Sequence, residues 1–154
     1  MSTSRAIFAG GCFWNLQADF DRTTGIISTR CGYIGGLLPH PTYMEITGGR
    51  TGHAEAVEVT YDPAVISYDE LLEIFFNAHD PTERVPPRFR SAVFYLNDEQ
   101  RRLTFDKIRK LAAAEKYKAP IITEVTLAGV FYPAEEHHQH YYQKNAAAEH
   151  RRRL

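Results

Sequence analysis

Apolar positions along the chain fall into short runs and spaced sets, and their period predicts the elements. Ala6 to Ala9 is an unbroken apolar run stopped by Gly10-Gly11, the mark of a buried strand. Phe13, Leu16, Gln17 and Phe20 recur at intervals of three and four, the spacing of a helix face, and Gly25 closes that helix. Ile26 to Ile34 is rich in β-branched residues and ends at Gly35-Gly36, which predicts a second strand. Leu37 to Gly52 is punctuated by Gly and Pro and predicts a loop with a short helix. From Ala54 to Tyr61 the chain alternates. Glu55, Val57, Val59 and Tyr61 share one side of a third strand, with Ala54, Ala56, Glu58 and Thr60 on the other. Ser67 and Glu70 have the spacing of a capping box for a helix to about Ala78. Ser91 to Leu96 predicts a fourth strand, and Asn97 caps a helix from Asp98 to about Lys116. Ile121 to Leu127 predicts a further strand, and Pro133 opens a final helix to about Asn145.

The first six elements read strand, helix, strand, strand, helix, strand. That is the split βαβ order of an α+β, ferredoxin-like sandwich, here with a C-terminal extension. Its sheet order is fourth, first, third, second, with the third and fourth strands antiparallel to the first. The end of strand one and the starts of strands three and four then share one sheet edge. This brings Gly11-Cys12, His53 to Glu55 and Phe89 to Ser91 together, so topology alone sets Cys12 beside Glu55.

Composition narrows the classes of function. The 154 residues, 44% hydrophobic and 24% charged, fit a single domain spanning 1–154. A formal charge of −1 gives no electrostatic reason to expect nucleic acid or a membrane surface. The basic cluster Arg151-Arg152-Arg153 reads as a solvated tail. No run approaches the ~20 apolar residues of a membrane span, and no signal peptide is evident, so a cytoplasmic location is expected. Two cysteines are too few for a disulfide scaffold or a four-thiolate metal site, which leaves thiol chemistry or inert packing.

Cys12 follows two glycines and opens a helix, whose N-terminal N–H groups favour the thiolate, the reactive form of cysteine. The same position also suits a buried small hydrophobe. Phe13 and Trp14 form either an apolar wall for a methyl or thioether group or ordinary core. Glu55 lies on an apolar strand face. It is either a carboxyl kept protonated by burial, suited to general acid work, or an edge carboxylate in water or in a salt bridge with Arg50. His137 and His140 are three apart on an expected surface helix, but with no third ligand no metal is expected. Asp80, before Pro81, reads as a turn residue.

Gly10-Gly-Cys-Phe-Trp14 resembles the signature of the peptide methionine sulfoxide reductase A family. The resemblance extends through Thr29-Arg-Cys-Gly-Tyr-Ile-Gly-Gly36, Pro41-Thr-Tyr43, Gly52-His-Ala-Glu-Ala-Val57 and His79-Asp-Pro-Thr82 to Phe131-Tyr-Pro-Ala-Glu135. It implies reduction of methionine S-sulfoxide, free or in proteins, with no metal or organic cofactor. It also implies the site residues. Cys12 is the nucleophile that becomes a sulfenic acid, and Glu55 is the acid for the sulfoxide oxygen. Tyr43 is a hydroxyl donor to that oxygen, Phe13 and Trp14 are the methyl pocket, and Tyr141 is a further lining residue. The implied partners are oxidised methionine and thioredoxin or another thiol reductant.

Three features depart from the family pattern. A longer loop after His79-Asp-Pro-Thr82 is reduced to Glu83-Arg-Val-Pro-Pro-Arg-Phe89. The loop's aspartate is missing, and Phe89 stands where the family has tyrosine. The resolving cysteines of a Gly-rich tail are not found in Asn145 to Leu154. Cys31 replaces a common valine. As the other thiol it is the internal candidate for resolving the sulfenic acid, and it also reads as a plain strand residue. A catalytically impaired relative that binds oxidised methionine, or another type of thiol enzyme, are the alternatives these departures leave.

Overall fold

The computed structural model describes residues 2–145, so the expected solvated tail Arg151–Arg153 lies outside the described residues. Its sheet consists of β1 (Ser4–Ala9), β2 (Ile26–Ile34), β3 (Ala54–Tyr61), β4 (Ala92–Tyr95), β5 (Glu124–Leu127) and β6 (Tyr132–Pro133). The spatial order is β5-β4-β1-β3-β2-β6. The inner four strands have the order expected of the split βαβ sandwich, with β3 and β4 antiparallel to β1. β5 extends one edge parallel to β4, and β6 extends the other antiparallel to β2.

Among the described residues five helices accompany the sheet: α1 (Phe13–Asp21), α2 (Tyr43–Thr47), α3 (Tyr68–Asn77), α4 (Asp98–Ala113) and α5 (Tyr141–Lys144). The Ser67–Glu70 capping box forms at α3, and Asn97 caps α4 by accepting from the Gln100 N–H. Thr42 and Glu45 make a second capping box that starts α2. Short helices need such caps because few of their backbone bonds are internal.

Phe8 of β1 organises the helix-side core. Its ring stacks on Phe75 at 5.1 Å, Phe20 at 5.4 Å and Tyr68 at 5.9 Å, joining α1 and α3 to the sheet. Truncating a core phenylalanine of this kind costs about 3–5 kcal/mol. On the other face Ile7, Ala9, Ile34, Ala54, Ala56, Ala92 and Phe94 form a second buried cluster, packed with Leu96, Ala128 and Phe131. Both faces of β3 are therefore covered near the site, and its alternation separates two cores.

The helix expected from Pro133 to Asn145 does not form. Tyr132-Pro133 pairs with β2 instead, and the Ala134 N–H continues that pairing to the Cys31 carbonyl at 2.8 Å. Proline is tolerated on an outermost strand because its missing N–H is not needed there. A 3-10 turn over Glu136–His138 and the four-residue α5 complete the segment. Gln139 lies between them and acts as a strand partner through its side chain. Its Oε1 accepts from the Cys31 N–H at 2.8 Å, and its Nε2 donates to the carbonyls of Cys31 and Ala134 at 2.9 and 3.0 Å. The other strand expected near the C-terminus is shorter than its apolar run. β5 begins at Glu124, while the Ile122 N–H bonds to the Pro81 carbonyl.

Candidate active site

Two glycines and a histidine set Cys12 in place. A Cβ on Gly10 would sit 2.9 Å from the His79 ring, and Gly11 has φ +79°, a conformation that L side chains rarely adopt. His79 is itself fixed, with Nδ1 donating to the Phe75 carbonyl at 2.8 Å and Nε2 accepting from Ser91 Oγ at 2.7 Å. Burial lowers its pKa, in keeping with this neutral tautomer. The Gly11 N–H donates to the Phe89 carbonyl at 3.1 Å, which draws the 83–89 loop to the site.

Cys12 is the N-cap residue of α1, but its side chain makes no capping hydrogen bond. Burial pushes its thiol from 9.0 to about 11, and the neighbouring Glu55 carboxylate adds to the rise. The backbone N–H groups of Trp14 and Asn15 and the charge of Arg88 act in the opposite sense. A helix N-terminus contributes about 0.3–1 kcal/mol, which lowers a pKa by less than one. Desolvation therefore wins, and the resting group is a thiol. This corrects the expectation that the helix start alone would favour the thiolate.

Glu55 faces the same helix start from β3. Its Oε1 accepts from the Phe13 N–H at 3.2 Å. Its Oε2 is buried and has no hydrogen-bond partner among the described residues. The residue is 1% exposed, and burial lifts its carboxyl from 4.5 to about 7 against the opposing effects of the Phe13 N–H and Arg88. The alternative of a surface carboxylate paired with Arg50 does not hold.

Aromatic rings surround these two groups. Phe13 is buried, with its ring centroid 5.8 Å from Tyr33, 5.9 Å from His138 and 6.3 Å from Tyr43. Tyr43, at the start of α2, packs on His138 at 4.2 Å. Burial raises its phenol, and the charges of Glu55 and Cys12 raise it further, so its hydroxyl shares their electrostatic field. Trp14 is half-buried and donates its indole N–H to His138 Nδ1 at 3.3 Å. Tyr141 lies flat on Trp14, with centroids 3.8 Å apart, so it borders the site through the indole.

Sequence reasoning missed two side chains that hold this arrangement. Glu135 accepts from the Tyr33 hydroxyl at 2.9 Å with one carboxylate oxygen, and from the Tyr43 N–H at 3.0 Å with the other. It stood in the quoted Phe131–Glu135 motif without a role. His138, expected on a surface helix, is buried between Trp14, Phe13 and Tyr43. His140, expected to share its face with His137, instead pairs with Asp21 at 2.8 Å. Among the described residues no group of three or more His, Cys, Asp or Glu is placed to hold a metal ion. Asp80 closes a turn by accepting from the Thr82 N–H and hydroxyl.

Cys31 is buried under the start of α1; burial raises its thiol, and the charges of Cys12 and Glu55 add to the rise. Cys31 is opposite Val57, which is opposite Phe8 of β1, so the third strand separates it from the strand that leads to Cys12. Its buried thiol donates to Gln17 Oε1 at 3.0 Å and lies 3.5 Å from the Phe13 carbonyl oxygen. Both cysteines are free thiols.

The sequence profile described as peptide methionine sulfoxide reductase matches residues 4–153. The chain is similar to proteins named peptide methionine sulfoxide reductase MsrA. That of Pasteurella multocida is 48% identical over 143 residues, covering 88% of this chain and 80% of the relative. That of Methanothermobacter thermautotrophicus is 45% identical over 139 residues, covering 86% and 82%. Among solved structures it is similar to methionine sulfoxide reductase A of Corynebacterium diphtheriae, with a TM-score of 0.80 and 36% identity over 94% of this chain and 76% of that one. Reduced Mxr1 of Saccharomyces cerevisiae gives a TM-score of 0.87 and 29% identity, over 94% and 86%. Profile, sequence relatives and solved folds agree over most of the chain's length, and the chain belongs to the peptide methionine sulfoxide reductase family.

Proposed function

We infer that this chain reduces the S epimer of methionine sulfoxide to methionine, with Cys12 as nucleophile and Glu55 as general acid. The observation that carries the reading is the buried Glu55 carboxyl, one oxygen held by the Phe13 N–H and the other without a partner, beside a cysteine at a helix start. A sulfoxide oxygen is an acceptor that a protonated Oε2 can satisfy. Tyr43 supplies a second donor to that oxygen, and Phe13 and Trp14 form the apolar wall for the methyl group.

The two titrating groups act as a pair. Between about pH 7 and about 11 they hold one proton, which rests on the Cys12 sulfur. The reactive tautomer has that proton on Glu55. Moving it in the empty site costs less than the roughly 5 kcal/mol between pKa values of about 11 and about 7, because the Glu55 charge that raises Cys12 is neutralised in the same step. A bound sulfoxide offsets this cost by giving the Glu55 proton an acceptor in a dry site.

The thiolate then attacks the sulfoxide sulfur as its oxygen takes the proton. In the net step the oxygen passes from substrate sulfur to Cys12, giving a sulfenic acid and a thioether. The substrate sulfur gains two electrons and Cys12 loses two. An external thiol condenses with the sulfenic acid, forming a mixed disulfide and releasing water, and a second thiol releases Cys12. We assign that work to a thioredoxin-type dithiol or another thiol reductant, because Cys31 is buried and its thiol is engaged by Gln17. No helix among the described residues is long and apolar enough to cross a membrane. We place the protein in the reducing cytoplasm, where free thiols persist.

Turnover of each methionine sulfoxide epimer, first with dithiothreitol and then with thioredoxin, tests the reading. Methionine released from the S epimer alone is expected. Binding without turnover would make the chain a reader of oxidised methionine, and peroxide consumption without sulfoxide reduction would make it a different thiol enzyme.

A further inference from the structure

The turn that replaces the longer family loop puts a cation at the site. Pro86-Pro87 leads into a 3-10 turn over Pro87–Phe89, and the Gly11 N–H bonds to the Phe89 carbonyl one residue from the nucleophile. Arg90 braces the turn from behind. Its Nη1 donates to the carbonyls of Pro87 at 2.9 Å and Gly52 at 3.1 Å, and its Nε to Glu124 at 3.0 Å. Arg88 is thus presented from a fixed backbone.

Arg88 is half-buried, with its guanidinium 4.4 Å from the centre of the Phe89 ring. Its charge reaches Cys12, Glu55 and Tyr43 alike. Among the described residues this guanidinium has no carboxylate partner and makes no hydrogen bond, unlike the neighbouring Arg90. A guanidinium presents five donors in a planar fork suited to a carboxylate. A ring on one side and an empty fork on the other describe half of a carboxylate-binding site.

We propose that Arg88 is a specificity-determining residue that receives a carboxylate carried by the substrate next to the oxidised methionine side chain. The inference rests on the reductase reading above. Two sources supply that chemistry: the α-carboxylate of free or C-terminal methionine sulfoxide, and the side chain of an adjacent Asp or Glu in a protein. The Phe89 ring takes one face of the guanidinium, a contact that needs no hydroxyl at that position.

The test compares kcat/KM within two substrate pairs. N-acetyl-methionine sulfoxide against its methylamide probes the α-carboxylate. Acetyl-Glu-methionine sulfoxide methylamide against the Gln analogue probes the neighbouring side chain. The wild-type chain is expected to favour the charged member of at least one pair by about fivefold, carried by KM and weakened by salt. Arg88→Lys is expected to keep part of this preference, Arg88→Gln to bring the ratio to about one, and Arg88→Glu to invert it. Ratios near one in the wild type for both pairs, or a wild-type ratio retained in Arg88→Gln, would overturn the proposal. Because each ratio is internal to one variant, overall losses of rate or stability cancel. Failure of the wild type to reduce any of the four substrates would instead defeat the reductase reading, and this inference with it.

Discussion

The backbone N–H of Phe13 holds one oxygen of Glu55 at 3.2 Å and leaves the other buried and unpaired. One bond thereby orients the acid toward the nucleophile's end of α1, while burial of the carboxyl sets a cost on ionising it in the empty site.

That cost is measurable as stability. Glu55 titrates near 7 when folded, against 4.5 ordinarily, so the folded chain binds its proton more tightly than the unfolded chain. The resulting stability is fully present below about pH 4.5 and is lost as pH rises toward 7. Glu55→Gln keeps an acceptor for the Phe13 N–H and cannot ionise. Urea unfolding is expected to find the variant more stable than wild type by about 2–3 kcal/mol at pH 8 and similar to it at pH 4. Equal stability at both values would mean that Glu55 is solvated.

The same pair shapes the rate. kcat/KM of the wild type is expected to rise toward pH 7, stay level, and fall near pH 11, because the singly protonated pair is the active form. Glu55→Gln should lower the neutral-pH rate by about 10²–10³ and remove the alkaline fall. A variant rate equal to wild type would exclude Glu55 as the acid.

Cys12→Ser is expected to abolish turnover, while Cys31→Ser retains most dithiothreitol-supported turnover. Mass spectrometry after one turnover without reductant should find a sulfenic acid on Cys12. The Cys31 thiol is buried and bonded to Gln17, so it is not poised to attack that sulfur. Quantitative formation of an intramolecular disulfide would show that Cys31 resolves the sulfenic acid in each cycle.

Glu135 joins two tyrosines on separate elements through its two oxygens. Glu135→Ala should reduce kcat/KM about tenfold through misplacement of Tyr43, since losing a charged hydrogen bond is worth about 1.5–3 kcal/mol. The double variant with Tyr43→Phe should lose much less than the product of the single effects. Independent effects would place Glu135 outside the function of Tyr43.

Gln139→Leu leaves the Cys31 N–H and the Ala134 carbonyl without their side-chain partner in a buried setting. A loss of about 1–3 kcal/mol is expected from a thermal or urea melt. An unchanged melting point would mean that this segment contributes little to global stability.

Much of this architecture is local and so was readable. The run Ala6–Ala9, the alternation of Ala54–Tyr61 and the Ser67–Glu70 box each depend on neighbours in sequence, and all formed as expected. The approach of Cys12 to Glu55 followed from strand order. The acidity of Cys12 did not, because helix position is visible in sequence whereas the depth of water exclusion depends on the assembled walls. Pro133 carried a helix-start signal that strand pairing with Gly32 overrode. Gln139 and His138 looked like surface residues because their partners, Cys31 and Trp14, lie more than 100 positions away.

That separation has a consequence for the chain as it is made. Trp14 meets His138 across 124 positions, so the nucleophile leaves the ribosome long before its wall does. At about 5–20 residues per second the interval is roughly 6–25 s. Through that time the indole beside Cys12 lacks its His138 partner, so the last wall of the site closes only when the C-terminal segment arrives.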